Sequence, residues 1–271
     1  MLSHLLANPF LLYSFLAAFG ASIAGGIIGS YIVVKRIVSI SGSISHSMLG
    51  GIGVALWLNY YTTIHLSSLW GAVIGSVLLA LFIGRIHLKH KEREDSVIAV
   101  VWSLGMSVGI ILMSRLPSFN AELSNFLLGN IIWVGVNDLK ILFILDGIII
   151  VSTVIFHNRF LALCFDEQYM ELRGIKFTNY YFLLLSLAAL AIVLLIYVVG
   201  IILMMSMLVL PISIACRFSY RIPKIMLVGT IINILLSFVG ICIAYFLNTP
   251  VGPSIALLMS LAYGLSFCFK T

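Results

Sequence analysis

Charged side chains are scarce: Asp, Glu, Lys and Arg make up only 9% of the 271 residues. Hydrophobic residues make up 62%, and the mean hydropathy is +1.20. That composition excludes a water-soluble globular fold and indicates a polytopic, all-α membrane protein in contact with lipid. Carboxylates are almost missing from the apolar runs. Asp146 lies about two turns into one of them and Asp138 sits at its edge. A transporter coupled to protons or sodium generally needs a buried acid, so this is thin support for that mechanism. No polar loop is long enough to fold as a soluble catalytic domain, and HExxH, GxSxG and P-loop patterns are absent. An intramembrane protease and an ATPase are therefore not expected in this chain. Any energy source is an ion gradient or another subunit. The four cysteines (Cys164, Cys216, Cys242, Cys268) are scattered without a CxxC, which gives neither a metal site nor a disulfide framework. The first residues lack a basic stretch and a small-residue cleavage site, so no cleaved signal peptide is expected.

What is present is a series of apolar runs. A membrane span needs about 20 apolar residues. Runs of that kind cover 11–34, 41–59, 67–84, 97–114, 139–157, 179–197, 200–216, 225–247 and 253–269, all in one transmembrane domain, 1–271. The stretch 123–137 is short and polar and reads as a re-entrant segment. The expectation is eight to nine spans, with the weakest boundary near 197–200.

The net charge of +6 reads as cytoplasmic loops rather than a nucleic-acid surface. With the N-terminus outside and the C-terminus inside, 13 of the 15 basic residues fall in inner loops, and only Arg115 and Lys140 fall outside. The opposite orientation reverses those numbers. The positive-inside rule therefore selects the first, and it places 123–137 outside without a full crossing.

One run carries polar groups that hydrocarbon tolerates poorly. In Ser39-Ile-Ser-Gly-Ser-Ile-Ser-His46-Ser-Met-Leu-Gly50, helical spacing puts Ser39, Ser43, His46, Ser47 and Gly50 on one face. His46 falls near mid-membrane. A neutral imidazole is a good ligand for Zn²⁺ or Mn²⁺. It equally suits a hydrogen bond between packed helices. His65 sits at the outer surface, and His87 and His90 sit in a basic inner turn that reads first as a solvated loop. Small residues at spacings of three to four, from Gly20 to Gly29 and from Gly71 to Gly75, allow close helix contact.

Besides the mixed-charge inner turn from Arg85 to Asp95, two inner segments stand out. In Phe165-Asp166-Glu167-Gln-Tyr-Met-Glu171-Leu-Arg-Gly174, Asp166 can cap a short helix, Glu167 suits its first turn and Gly174 can end it; an ordinary solvated loop fits the same residues equally well. The other runs from Pro211 through Ser213, Arg217 and Arg221 to Pro223.

Four stretches, in order and nearly end to end, resemble the permease subunits of ATP-driven (ABC) importers of zinc, manganese and iron. They are Gly42–Gly50, Phe165–Gly174, Val199–Ala215 and Asn248–Ile255. The resemblance implies a type II importer fold in the bacterial inner membrane. It implies two permeases around a central path, two ATPase subunits docked inside, and an extracytoplasmic protein that delivers the metal. The metal would be a substrate, with no permanently bound cofactor and no bond chemistry in this chain. His46, with Ser43 and Ser47, would line the path. Ser213–Pro223, with Arg217 and Arg221, would form the main coupling helix facing the ATPase, flanked by Asp166, Glu167 and Gly174. One departure stands out: the family's aspartate ahead of the histidine is Ser43 here. Three outcomes are open: a different, paired permease supplies the acid, which is the favoured one; His46 acts alone with water and serine oxygens; or this chain has a mainly structural role in a heterodimer. An ion-coupled transporter and a purely structural membrane subunit are the alternatives.

Overall fold

In the computed structural model, which describes residues 9–62, 66–89, 94–129, 131, 134–165 and 167–268, the described residues form helices and no strand. There are ten: α1 (Pro9–Lys35), α2 (Val38–Tyr61), α3 (Ser68–Lys89), α4 (Glu94–Met113), α5 (Phe119–Leu128), α6 (Val136–Phe165), α7 (Glu167–Leu172), α8 (Phe177–Phe218), α9 (Ile222–Leu247) and α10 (Val251–Ser266).

The nine expected spans map onto eight of these helices, because 179–197 and 200–216 are joined in α8. At 42 residues and roughly 1.5 Å each, α8 is about twice as long as the hydrocarbon layer is thick. Its path breaks at Gly200, where φ is 80° and ψ is 167°. Six helices are long and apolar enough to cross a membrane: α1, α3, α4, α6, α8 and α9. α2 has the length, 24 residues, but its serines and histidine make it too polar. α10 is apolar but only 16 residues long. The stretch 123–137 makes no full-length helix. α5 ends at Leu128, Gly129 turns with φ 73°, and α6 starts at Val136.

The chain divides into two compact units, one of Met1–Val33, Leu127–Ile155 and Leu194–Thr271, the other of Val34–Phe126 and Phe156–Val193.

In the second unit α2 is the central element, packed against α3 and α4. Without a hydrophobic force between helices in lipid, close backbone approach supplies the packing. Gly51 lies against Gly71 and Gly75, and Gly50 and Gly53 lie against Gly105 and Gly109. A Cβ on Gly53 would stand 2.8 Å from the Gly109 carbonyl oxygen. Residue numbers rise together along α2 and α4 (Ser43 meets Ile98, Gly53 meets Gly109), so these two helices run parallel. They run opposite along α2 and α3, where Ala55 meets Gly71 and Gly51 meets Gly75. The Lys35 ammonium donates to the Leu163 carbonyl at 2.8 Å.

In the first unit the small residues of α1 do the same work. Gly25 and Gly26 receive Asn233 and Thr230 of α9, and Gly29 meets the Leu208 carbonyl of α8. Gly20 accommodates Leu142 and Asp146 of α6. At the α8 break, Gly200 and Gly129, both with positive φ, press backbone against backbone, and Gly252 at the start of α10 closes on the Leu128 carbonyl. Asn248, in the left-handed conformation, ends α9, and Pro250 turns the chain into α10.

Candidate metal path and coupling segments

The polar face of α2 turns toward α4. Ser43 and Ser47 are fully buried in that seam, and their hydroxyls are engaged: Ser43 donates to the Ile98 carbonyl at 3.0 Å, Ser47 to the Ile44 carbonyl at 3.1 Å. Ser45 and Ser41 likewise donate to carbonyls of their own helix. These bonds explain how a serine-rich helix sits among apolar ones: each of these four buried hydroxyls has a backbone acceptor. Ser39 is exposed at the start of the helix.

His46 differs. It is half-buried and its imidazole lies on the Trp102 indole, centroids 4.2 Å apart and planes within 13°. Its Nδ1 is buried with no hydrogen-bond partner among the described residues. It lies eight residues into α2, about 12 Å along the axis. A cavity of about 420 Å³ opens beside Trp102 on α4, lined also by Ser103, Met106 and Ser107. Thus the structure separates the three sequence candidates. His46 keeps an exposed side, whereas Ser43 and Ser47 serve the helix seam. Trp102 is the partner that sequence reading missed. The Gly105-Met-Ser-Val-Gly109 spacing, another small-residue pair, was the signal that α4 packs on α2.

Among the described residues there is no group of three or more His, Cys, Asp and Glu that could hold a metal ion. His65 and His90 lie outside the described residues, and His87 stacks on Tyr181 at 5.4 Å. Asp146 is buried, at 2% exposure, and neither carboxyl oxygen has a hydrogen-bond partner among the described residues. Asp138, by contrast, accepts from the Gly135 N–H at 3.0 Å and the Tyr197 hydroxyl at 3.2 Å.

The expected coupling helix over Ser213–Pro223 takes a different form. Ser213 to Phe218 are the last turns of α8, Ser219 to Arg221 make a turn, and α9 begins at Ile222 with Pro223 in its first turn. The Pro223 ring tolerates that position because no helical partner exists there for a backbone N–H. Ser213 donates to the Val209 carbonyl within its own helix at 2.8 Å. Arg217 turns back onto the chain: its Nη1 donates to the Ser266 carbonyl at 2.9 Å, and its guanidinium lies 3.7 Å from the Phe267 ring centre. The exposed groups at this turn are Phe218, Tyr220, Arg221, Pro223 and Lys224, with Tyr220 at 93%.

The Phe165–Gly174 segment holds the short helix α7, of six residues. Asp166 lies outside the described residues, and of Glu167 only the backbone, at the start of α7, is described. Gly174 ends the helix with φ 68°. Its N–H donates to the Glu171 carbonyl at 2.9 Å and the Ile175 N–H to the Met170 carbonyl at 3.0 Å. That pair of bonds satisfies the last carbonyls of a helix.

Six helices long and apolar enough to cross a membrane define a multi-pass membrane protein. The chain matches the ABC 3 transport family over residues 7–270, and it belongs to that family. It is 58% identical over 274 residues to the "Probable metal transport system membrane protein" of Chlamydia pneumoniae, covering 100% of this chain and 94% of that one. It is 27% identical to the manganese transport system membrane protein MntC of Halalkalibacterium halodurans, covering 98% and 89%. Among solved structures it is similar to PsaBC from Streptococcus pneumoniae in complex with Fab, with a TM-score of 0.86 at 26% identity, covering 98% of this chain and 95% of that one. As a member of this family the chain is a multi-pass membrane protein of a transporter, not an enzyme.

Proposed function

We propose that this chain is the permease subunit that carries a divalent metal ion (zinc, manganese or iron) across a bacterial inner membrane into the cytoplasm. ATP hydrolysis on a separate partner drives it. A second permease completes the path and an extracytoplasmic binding protein delivers the metal. The names of the relatives, metal and manganese transport membrane proteins, support the cargo. The charge distribution supports an N-terminus outside and a C-terminus inside.

The observation that carries the reading is His46, a partly exposed imidazole on the central helix, held flat by Trp102, whose indole borders an open groove along α4. A neutral imidazole binds borderline divalent ions and releases them when no rigid cage forms around it. The α2 stretch from Val38 to Tyr61 holds no carboxylate. The remaining ligands are then water and groups of the second permease, which supplies the acid missing at Ser43. Tyr220, Arg221 and Lys224 form the ATPase-facing knob at the α8–α9 turn, with the Glu167–Gly174 segment as a second contact.

The test is reconstitution of the permease with its ATPase, second permease and binding protein in proteoliposomes. ATP-dependent uptake of Zn²⁺, Mn²⁺ or Fe²⁺ that falls with His46→Ala is the expected result. Uptake independent of the ATPase contradicts it.

A further inference from the structure

The Arg217 side chain leaves its own helix and ends on the inner tip of α10. Its Nη1 donates to the Ser266 carbonyl at 2.9 Å. Its guanidinium stacks 3.7 Å above the Phe267 ring and lies 5.6 Å from the Tyr263 ring. Tyr263 and Phe267 are themselves in edge contact at 5.1 Å. Ser266 is buried, and Arg217 is half-buried. Three favourable effects act on one cation here. It faces the negative end of a helix, it hydrogen-bonds a last-turn carbonyl there, and it lies over an aromatic face. A guanidinium suits all three because it is flat and forked; an ammonium does not stack this way. A side chain placed to meet an incoming subunit would have its charged tip in water. This one rests on Ser266 and Phe267 of the same chain, while Tyr220 and Arg221, three and four residues on, are exposed.

We infer that Arg217 is an internal latch that makes the inner ends of α8 and α10 move as one lever, and is not itself a contact for the ATPase. Force applied at the turn Ser219–Arg221 reaches α8 directly, since α8 ends at Phe218. Through the latch it also reaches α10. That helix continues to Gly252, which packs on the Leu128 carbonyl next to the α8 break. Motion at the inner turn is thereby tied to the backbone junction of Gly129, Gly200 and Gly252. Arg217 is a positioning residue in this account, acting through Phe267. The inference rests on the permease reading above.

The assembled transporter, with its ATPase subunits, tests it through three variants: Arg217→Gln, Phe267→Leu, and the two combined. Both single variants are expected to lower the metal imported per ATP hydrolysed several-fold. The double variant falls no further than the worse single, because both remove one contact. Phe267→Leu retains the ATPase in the purified complex. Arg217→Lys recovers part of the yield, keeping the charge without the flat stack. Two results overturn the latch. In one, Arg217→Gln releases the ATPase while Phe267→Leu transports normally, which makes Arg217 a docking residue. In the other, both single variants keep the wild-type ratio. Failure of the permease reading looks different: the unaltered complex then imports no metal.

Discussion

The imidazole of His46 lies flat on the indole of Trp102, with 4.2 Å between ring centres. A ring stacked on one face has a fixed plane, so its nitrogens point along fixed directions. The stack contributes about 0.5–1.5 kcal/mol to holding that plane. Trp102→Ala is therefore expected to lower metal uptake by roughly 2–12-fold, the equivalent of that energy. Trp102→Phe keeps most of the rate. Initial uptake rates in proteoliposomes, compared with His46→Ala at a loss of roughly tenfold or more, measure this.

The seam around α2 tolerates no added side chains. A Cβ on Gly105 would collide with the Ser47 backbone, and one on Gly51 with the Gly71 carbonyl. Gly105→Val and Gly51→Val are expected to destabilise the protein by at least about 1–3 kcal/mol, the usual cost of overpacking. Loss of monodisperse protein in detergent and a lowered melting temperature are the readouts.

Two left-handed glycines separate strain from crowding. Gly174 (φ 68°) has open space where a Cβ would go, whereas a Cβ on Gly200 (φ 80°) would strike the Leu128–Gly129 backbone. Gly174→Ala then costs only the conformational strain, about 1–2 kcal/mol. Gly200→Ala costs distinctly more. Thermal melting of the two variants side by side gives the order.

Asp146 sits against Gly20 with no hydrogen-bond partner among the described residues. In an ATP-driven permease it has no ion to carry. Asp146→Asn, which keeps the shape, is expected to leave uptake within about twofold, a change under about 0.5 kcal/mol. Abolished uptake, with the protein still folded, would instead favour an ion-coupled transporter.

The sequence displayed the spans because lipid demands long apolar runs, and helix ends fall within a few residues of the expected ones in α1, α3, α4 and α9. The exception at 197–200 was visible as weak punctuation. One glycine with positive φ breaks the path without ending the backbone run, and composition does not reveal φ. His46 was legible because hydrocarbon makes an imidazole conspicuous. The engagement of Ser43 and Ser47 was not, since a hydroxyl on a helix can bond its own backbone or line water with the same spacing. Arg217 was the instructive case. Its position after Pro211 and near the α8 terminus suggested an outward charge, yet the partner that claims it, Phe267, lies 50 residues on in a different helix. Such a pairing between distant helices leaves no local pattern in one sequence.

The most direct measurement is metal uptake by proteoliposomes holding the complete transporter, made with and without the ATPase subunits. The expected result is uptake that requires both ATP and the ATPase and drops roughly tenfold or more with His46→Ala. Uptake that proceeds without the ATPase, or that His46→Ala leaves unchanged, would contradict a metal permease built around His46.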